Sequence, residues 1–444
     1  MSPTLIAISM FVVMLLMMAA RLPLAAAMGV AGLLGFALLA GLDPLLSALK
    51  GTTMARLSVY ELSIIPLFLL MGQLTVKSGL SASLFRAITT CVGHLKGGLA
   101  FASVLSCAAF GSICGSSVAT AATVTQVAFP EMKAHGYPDR LSTATLASGG
   151  TLGILIPPSV PLVIYAILAE QNIAKLFVAA IVPAMIAIAG YLLVIAILVR
   201  RPDAAVPLHP KAGWRARRQA LRSIWPLMSI FLAVFGGIYF GIITPTEAAA
   251  VGVAGCGLAG LTHGTLGRHK IAAAVLATAE TTAMIFFIFL GADLMNAGLA
   301  LTQLPANIAQ WIGAQTIAPL WILFGVLGLY LLLSSVMDEL SMVILTIPVV
   351  YPIIMGLDLW GLNPQDQAIW FGILILMVVQ FGLVAPPVGL NVMIVNSLAK
   401  PCSISETYRG VLPFLLTDLL RIIALIFFPV LSLWLVRAVY PTIG

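Results

Sequence analysis

Two stretches of this chain interrupt apolar runs in the same way: GGTLGILIPPS at 149–159 and FGLVAPPVGLN at 381–391. Proline inside a helix costs about 3 kcal/mol and leaves a carbonyl without its donor. Two adjacent prolines flanked by glycines should unwind a helix rather than bend it. Two further stretches, GSICGSSVAT at 111–120 and SSVMDELS at 334–341, cut apolar segments with small residues and hydroxyls. Carbonyls freed at an unwound segment, joined by hydroxyls from a facing tip, make an oxygen cage suited to a hard cation such as Na⁺. The half-helix N-termini carry partial positive charge and free N–H groups, which suit a carboxylate. Two tips facing two breaks therefore predict cation sites flanking an anionic substrate. The plainer alternative is that Gly, Ser and Pro only allow close packing and kinks. Four motifs in two-fold correspondence favour the site.

Asp338 lies at the second tip, next to Glu339. A charge at the centre of a membrane helix costs about 2.5–3.5 kcal/mol. Its two readings are an ion or substrate contact and a cap on a half-helix N-terminus. Asp418 and Arg421, three residues apart in the last apolar run, read as a structural pair. Asp293 and Glu280 sit near span ends, where they reach water. His94, His263 and His269 fall in loops without metal-ligand spacing.

The elements that must position these groups follow from composition. Of 444 residues, 61% are hydrophobic and 8% charged, against about 25% charged in a soluble domain. So few charges cannot cover a soluble surface. This excludes a secreted disulfide scaffold, a disordered chain and an ordinary cytosolic enzyme, and leaves an integral protein of the lipid bilayer. The net charge of +7 would point to nucleic acid in a soluble chain; here basic residues set topology, and no nucleic-acid partner is expected. The five cysteines, Cys91, Cys107, Cys114, Cys256 and Cys402, have neither disulfide nor metal spacing. No Lys or Arg precedes the first apolar run, so it reads as a retained helix rather than a signal peptide.

Apolar runs at 4–20, 22–41, 62–76, 141–168, 177–199, 224–242, 246–262, 278–295, 367–398 and 411–437 predict about ten crossings at about 20 residues each. Segments 99–132 and 318–356, each broken at the centre, fit re-entrant hairpins covered by protein. Segments 78–97 and 299–316 read as interfacial helices.

The halves repeat. Gly72, Gly79, Gly93, Pro130, Gly153 with Pro157-Pro158, and Pro183 pair in order with Gly291, Gly298, Gly313, Pro352, Gly382 with Pro386-Pro387, and Pro413. The offset grows from 219 to 230. Residues 1–222 and 223–444 are thus read as two repeats of five crossings and one hairpin. Five is odd, so the second repeat enters from the opposite side, an arrangement common in secondary transporters. The basic loop 200–222 belongs in the cytoplasm. Alternation then leaves Lys50, Arg56, Lys175 and Arg437 outside, Arg421 inside a span, and the other Lys and Arg in the cytoplasm. Both termini come out periplasmic. The first hairpin enters from the cytoplasm and the second from outside.

One motif misleads. TPTEAAAVGVAG at 244–255 holds the Glu-Ala-Ala of ATP-driven permeases, but topology puts Glu247 at an outer helix start, where Thr244 or Thr246 caps it. The chain has no GxxxxGK[ST] phosphate loop either.

At its motifs the sequence resembles the large membrane subunit of tripartite ATP-independent periplasmic (TRAP) transporters, the DctM-type M subunit. The matching stretches are PLFLLMGQL (66–74), FGSICGSSVAT (110–120), GGTLGILIPPS (149–159), TPTEAAAVG (244–252), MDELSMVILTIPVVYPI (337–353) and APPVGLN (385–391). The resemblance implies an all-α polytopic, elevator-type, Na⁺-driven importer of organic acids in the bacterial inner membrane. It implies two partners: a small membrane subunit (Q type) and a periplasmic substrate-binding protein (P type). One Na⁺ site would involve Ser112, Gly115 and Ser116 with Gly150, Thr151, Gly153 and Pro157. The other would involve Ser334 and Asp338 with Ala385, Pro386 and Gly389. The carboxylate substrate would meet Ser116, Ser117, Ser335, Asp338 and Asn391. The family pattern usually has Ser at Cys114 and often Thr at Ala385, so each position loses a hard oxygen. The length leaves no spare spans for a fused small subunit, so a separate one is expected. The rivals are a stand-alone Na⁺-coupled carboxylate carrier and a non-transporting subunit of a respiratory complex. The second should carry Lys and Glu along span centres, which this chain almost lacks.

Overall fold

The structure is a computed structural model. It describes the chain apart from residues 1, 202–205, 208–209, 305–306, 308–309, 311–316, 336, 401 and 441–444. Among the described residues the regular structure is entirely helical. The first half runs α1 (Pro3–Ala19), α2 (Leu24–Ala40), α3 (Leu42–Leu57), a 3₁₀ turn (Tyr60–Ser63), α4 (Ile64–Lys77), α5 (Leu80–Val92), α6 (Gly98–Cys114), α7 (Ser117–Ala134), α8 (Asp139–Gly150), α9 (Leu152–Leu155), α10 (Val160–Leu168) and α11 (Ile173–Leu198). After α12 (Trp214–Ser223), the second half runs α13 (Trp225–Tyr239), α14 (Pro245–Thr262), α15 (Arg268–Thr302), α16 (Pro319–Ser334), α17 (Glu339–Met355), α18 (Pro364–Gly382), α19 (Leu390–Leu398), α20 (Ile404–Phe427) and α21 (Val430–Val439).

Both halves carry the features expected of them: a helix pair closed by a short tip (α6–α7, α16–α17), then a helix broken at Pro-Pro (α8–α10, α18–α19). Both Pro-Pro bonds are cis. Among the described residues, five helical stretches are long and apolar enough to cross a bilayer unaided, and up to seven if two bent pairs each count as one span. Other apolar helices are shorter, such as α1 and α2 at 17 residues each.

Local chemistry explains several boundaries. Ser2 caps α1, accepting from Leu5 N at 3.3 Å. Asn172 caps α11, accepting from Lys175 N at 3.1 Å. Thr244 and Glu247 form a reciprocal capping box at α14. The Glu-Ala-Ala run is thus a helix start, as the sequence suggests.

Four elements differ from expectation. Residues 42–57, between two apolar runs and with Lys50 and Arg56 placed outside by alternation, form α3. Arg56 clamps Asp293 of α15 at 2.6 and 2.5 Å and lies over the Phe289 ring. Asp293 is therefore paired rather than left to water. The run 278–295 is part of one 35-residue helix, α15, which absorbs the first residues of the expected interfacial helix 299–316; much of the rest lies outside the described residues. The run 411–437 divides at Phe428-Pro429 into α20 and α21. The basic loop after α11 contains a helix, α12, with no buried residue. Segment 78–97 holds α5, which buries Leu80, Leu84 and Phe85 along one stripe, as an amphipathic helix should.

Packing puts the broken helices at the centre. Nearly every residue of α8 and α18 is buried, including Trp370 and Phe371. Glycines set the closest approaches elsewhere. A Cβ on Gly32 of α2 would strike the backbone of Leu294 and Met295, and one on Gly291 would strike Ala25. This small-residue seam joins α2 to α15.

Candidate functional site

Each tip meets its own break. The first tip turns at Gly115, whose φ of +63° is the left-handed region that glycine tolerates. Its carbonyl accepts from Val160 N at 3.3 Å, just past Pro157-Pro158. A Cβ on Gly111 would lie 2.7 Å from Gly153 Cα, and one on Gly153 would lie 2.8 Å from Ser116 O and Thr120 Oγ1. Tip and break interlock through paired glycines. At the second site a Cβ on Gly382 would run into the Ser334 side chain. The loop after Gly382 closes through Asn391 N donating to Leu383 O at 3.0 Å. Gly389 turns there with φ +52°.

The tips also meet each other. Glu339 at the start of α17 is 4% exposed. Its carboxylate accepts from Ser117 Oγ and from Ser117 N at the start of α7. The N-cap residue of α7, Ser116, makes no side-chain cap. The α7 N-terminus is therefore capped in trans, from 222 residues away. Asp338 Oδ2 accepts from Ser341 N at 3.0 Å and caps α17 itself. Ser159 caps α10, accepting from Leu162 N. Among these half-helices only α19 starts without a side-chain cap, since its N-cap is Gly389. The sequence suggests N-termini open to a cargo carboxylate; at α7 and α17 the chain's own acids hold them.

Three hydroxyls at the tips keep acceptor capacity. Ser112, Ser334 and Ser335 each spend the hydroxyl proton on a carbonyl three residues back, at 2.8, 3.1 and 2.7 Å. Their remaining lone pairs accept only, which is what Na⁺ requires. Asn391 Nδ2 reaches Ala147 O at 3.5 Å, while its buried Oδ1 has no partner among the described residues. Ser112, Gly115, Ser116, Gly153 and Pro157 gather around the first tip and break. Ser334 lies against the second break, whose loop holds Ala385, Pro386 and Gly389. Gly150 and Thr151 have further contacts of their own. Gly150 packs on Ala121 of α7. The Thr151 hydroxyl donates to Ser148 O at 2.7 Å and joins a polar ring.

That ring went unseen in the sequence. Gln380 Nε2 donates to Thr151 Oγ1 at 3.0 Å and to Tyr191 OH at 3.2 Å. Gln380 Oε1 accepts from Arg421 Nη2 at 3.1 Å. Arg421 pairs with Asp418 at 2.8 Å, as its spacing suggests. Tyr191 OH donates to Asp418 at 2.7 Å. Gln380 and Tyr191 are neutral residues in apolar runs, and sequence alone gave no reason to single them out. Glu339 did carry a signal: an intramembrane acid one residue past a cap points away from the capped turn.

Comparison with known proteins decides the family. Residues 11–431 match the family described as "Tripartite ATP-independent periplasmic transporter, DctM component". The chain belongs to this family. It is 34% identical over 377 residues to the C4-dicarboxylate TRAP transporter large permease protein DctM of Pseudomonas aeruginosa, covering 84% of this chain and 86% of that one. It is 28% identical over 435 residues to the ectoine/5-hydroxyectoine TRAP transporter large permease protein UehC of Ruegeria pomeroyi, covering 97% and 98%. It also aligns with the isethionate TRAP transporter permease protein DctMQ of Oleidesulfovibrio alaskensis at 30% identity, covering 80% of this chain and 55% of that protein. The fold resembles the crystal structure of the Alcanivorax borkumensis YdaH transporter, with a TM-score of 0.65 at 16% identity over 96% of this chain and 98% of that one. The matching relatives are transporter permeases, not enzymes.

Proposed function

We propose that this DctM-family permease is the large transport subunit of a Na⁺-coupled, binding-protein-dependent importer in the bacterial inner membrane. The observation that carries the reading is the pairing of two tips with two breaks, joined by Glu339 and Ser117. Hydroxyls with free lone pairs line both junctions, which is the donor set a bound Na⁺ would take. The repeats are inverted, both termini are periplasmic, and a central unit of hairpins and broken helices slides against an outer scaffold that includes the α2–α15 seam.

The cargo is an organic acid, such as a C4-dicarboxylate, sialic acid or sugar acid, or a relative of these such as ectoine or isethionate. Ser116, Ser117, Ser335, Asp338 and Asn391 stand at the tips and breaks where it binds. The partners are a periplasmic binding protein, which does most of the selecting, and a small membrane subunit.

A Na⁺ ion moving inward down 100 mV releases about 2.3 kcal/mol before any concentration gradient is counted. Two ions suffice to concentrate a monoanion. The test is uptake by proteoliposomes holding the chain with its membrane partner. Imposed Na⁺ and added binding protein should each be required. Uptake indifferent to both refutes the reading, and uptake that needs Na⁺ but no partner identifies a stand-alone carrier.

A further inference from the structure

We propose that the ring of Thr151, Gln380, Arg421, Asp418 and Tyr191 makes the two broken helices order as one unit, with Gln380 as the positioning residue between them. The ring draws on four places in the fold: the α8–α9 junction (Thr151), α18 (Gln380), α20 (Asp418 and Arg421) and α11 (Tyr191). Every member is at most 5% exposed. Thr151 belongs to the first break. Gln380 stands two residues before Gly382, where the second break begins. One carboxamide therefore spans both. Its nitrogen donates to Thr151 and Tyr191, and its oxygen accepts from Arg421. Arg421 has no lone pair to offer, and the Thr151 and Tyr191 hydroxyl protons already go to Ser148 O and Asp418, so reversing the amide would cost both arms.

The composition of the ring argues for positioning rather than bulk stability. A buried ion pair is often no more stabilising than apolar side chains of the same volume. This one leaves Arg421 Nε and Nη1 without hydrogen-bond partners among the described residues. What apolar packing would not supply is direction. Each polar partner tolerates only a narrow range of distance and angle, so displacement of Thr151 is felt at Gln380 and the reverse. Under the Na⁺ reading above, on which this consequence rests, the two ion sites then fill cooperatively, because both bias one shared element.

The experiment uses the full chain in nanodiscs and two variants, Gln380→Leu and Thr151→Val. Amide hydrogen exchange is followed at 148–156 and 382–390. Each variant should speed exchange at both segments, by about three- to tenfold, the scale of one buried hydrogen bond. Acceleration confined to the substituted segment, in either variant that folds, overturns the proposal. Thr151→Val is nearly isosteric and carries the test alone if Gln380→Leu does not fold. A Na⁺ titration against choline, read by thermal stability, is the second arm. The Hill coefficient should fall from about two toward about one, two being the limit for two sites. A wild-type protein that ignores Na⁺ refutes the Na⁺ reading and leaves the exchange result to decide the ring.

Discussion

Replacing Glu339 with Gln tests how the two hairpins are held together. In the structure the Glu339 carboxylate takes both polar groups of Ser117, Oγ and N. A hydrogen bond to a charged group contributes about 1.5–3 kcal/mol. A carboxylate at a helix N-terminus adds about 0.3–1 kcal/mol. Glutamine keeps the length and one acceptor oxygen, so part of this survives. The expected loss is about 1–2 kcal/mol, or about 5- to 30-fold in the balance between tips joined and tips apart. Ser117→Ala removes the hydroxyl arm alone and should cost less. The assay is hydrogen exchange at the first turn of α7 in the protein with its membrane partner, in wild type, both single variants and the double variant. If the tips are linked as described, the double variant loses less than the two singles together, by at least about 0.5 kcal/mol. Additive losses, or unchanged exchange in Glu339→Gln, refute the trans cap.

Asp338→Asn separates two roles. Asn caps a helix about as well as Asp, so the stability of the second hairpin should change by less than about 0.5 kcal/mol, while Na⁺-dependent uptake weakens; normal Na⁺ dependence would leave Asp338 as a cap only. Gly382→Ala forces a methyl group into Ser334, and overpacking of this kind costs about 1–3 kcal/mol, which a thermal shift would register. Arg56→Asp should lower thermal stability by about 1 kcal/mol, given a partly exposed pair, and Asp293→Arg in the same chain should recover much of it; no recovery would show that the clamp acts through packing on Phe289.

The architecture was legible because it is written in the strongest local signals. Pro-Pro flanked by glycine stops a helix whatever surrounds it, and small residues mark close approach. The tips and the breaks followed from those alone, and the Asp418–Arg421 pair from its three-residue spacing. The helix over 42–57 was not legible because its charges interrupt the apolar pattern, and the partner that neutralises one of them, Asp293, is 237 residues away. The direction of Glu339 and the whole of the ring depend on tertiary contact between halves. No window along the chain brings Thr151 next to Gln380. The α20–α21 division at Phe428-Pro429 was readable from the proline but masked by the apolar residues on either side.

The Asp418–Arg421 pair has an electrical consequence. A unit that travels along the membrane normal does work against the membrane potential, about 2.3 kcal/mol per elementary charge per 100 mV. Arg421 alone would make every stroke voltage-sensitive. With Asp418 at 2.8 Å, the two form a pair of zero net charge, so under the proposed sliding of the central unit the ring would cross the field in either direction at no net-charge cost. The voltage dependence of a transport cycle built on this chain would then fall to Asp338, Glu339 and whatever ions and cargo neutralise them.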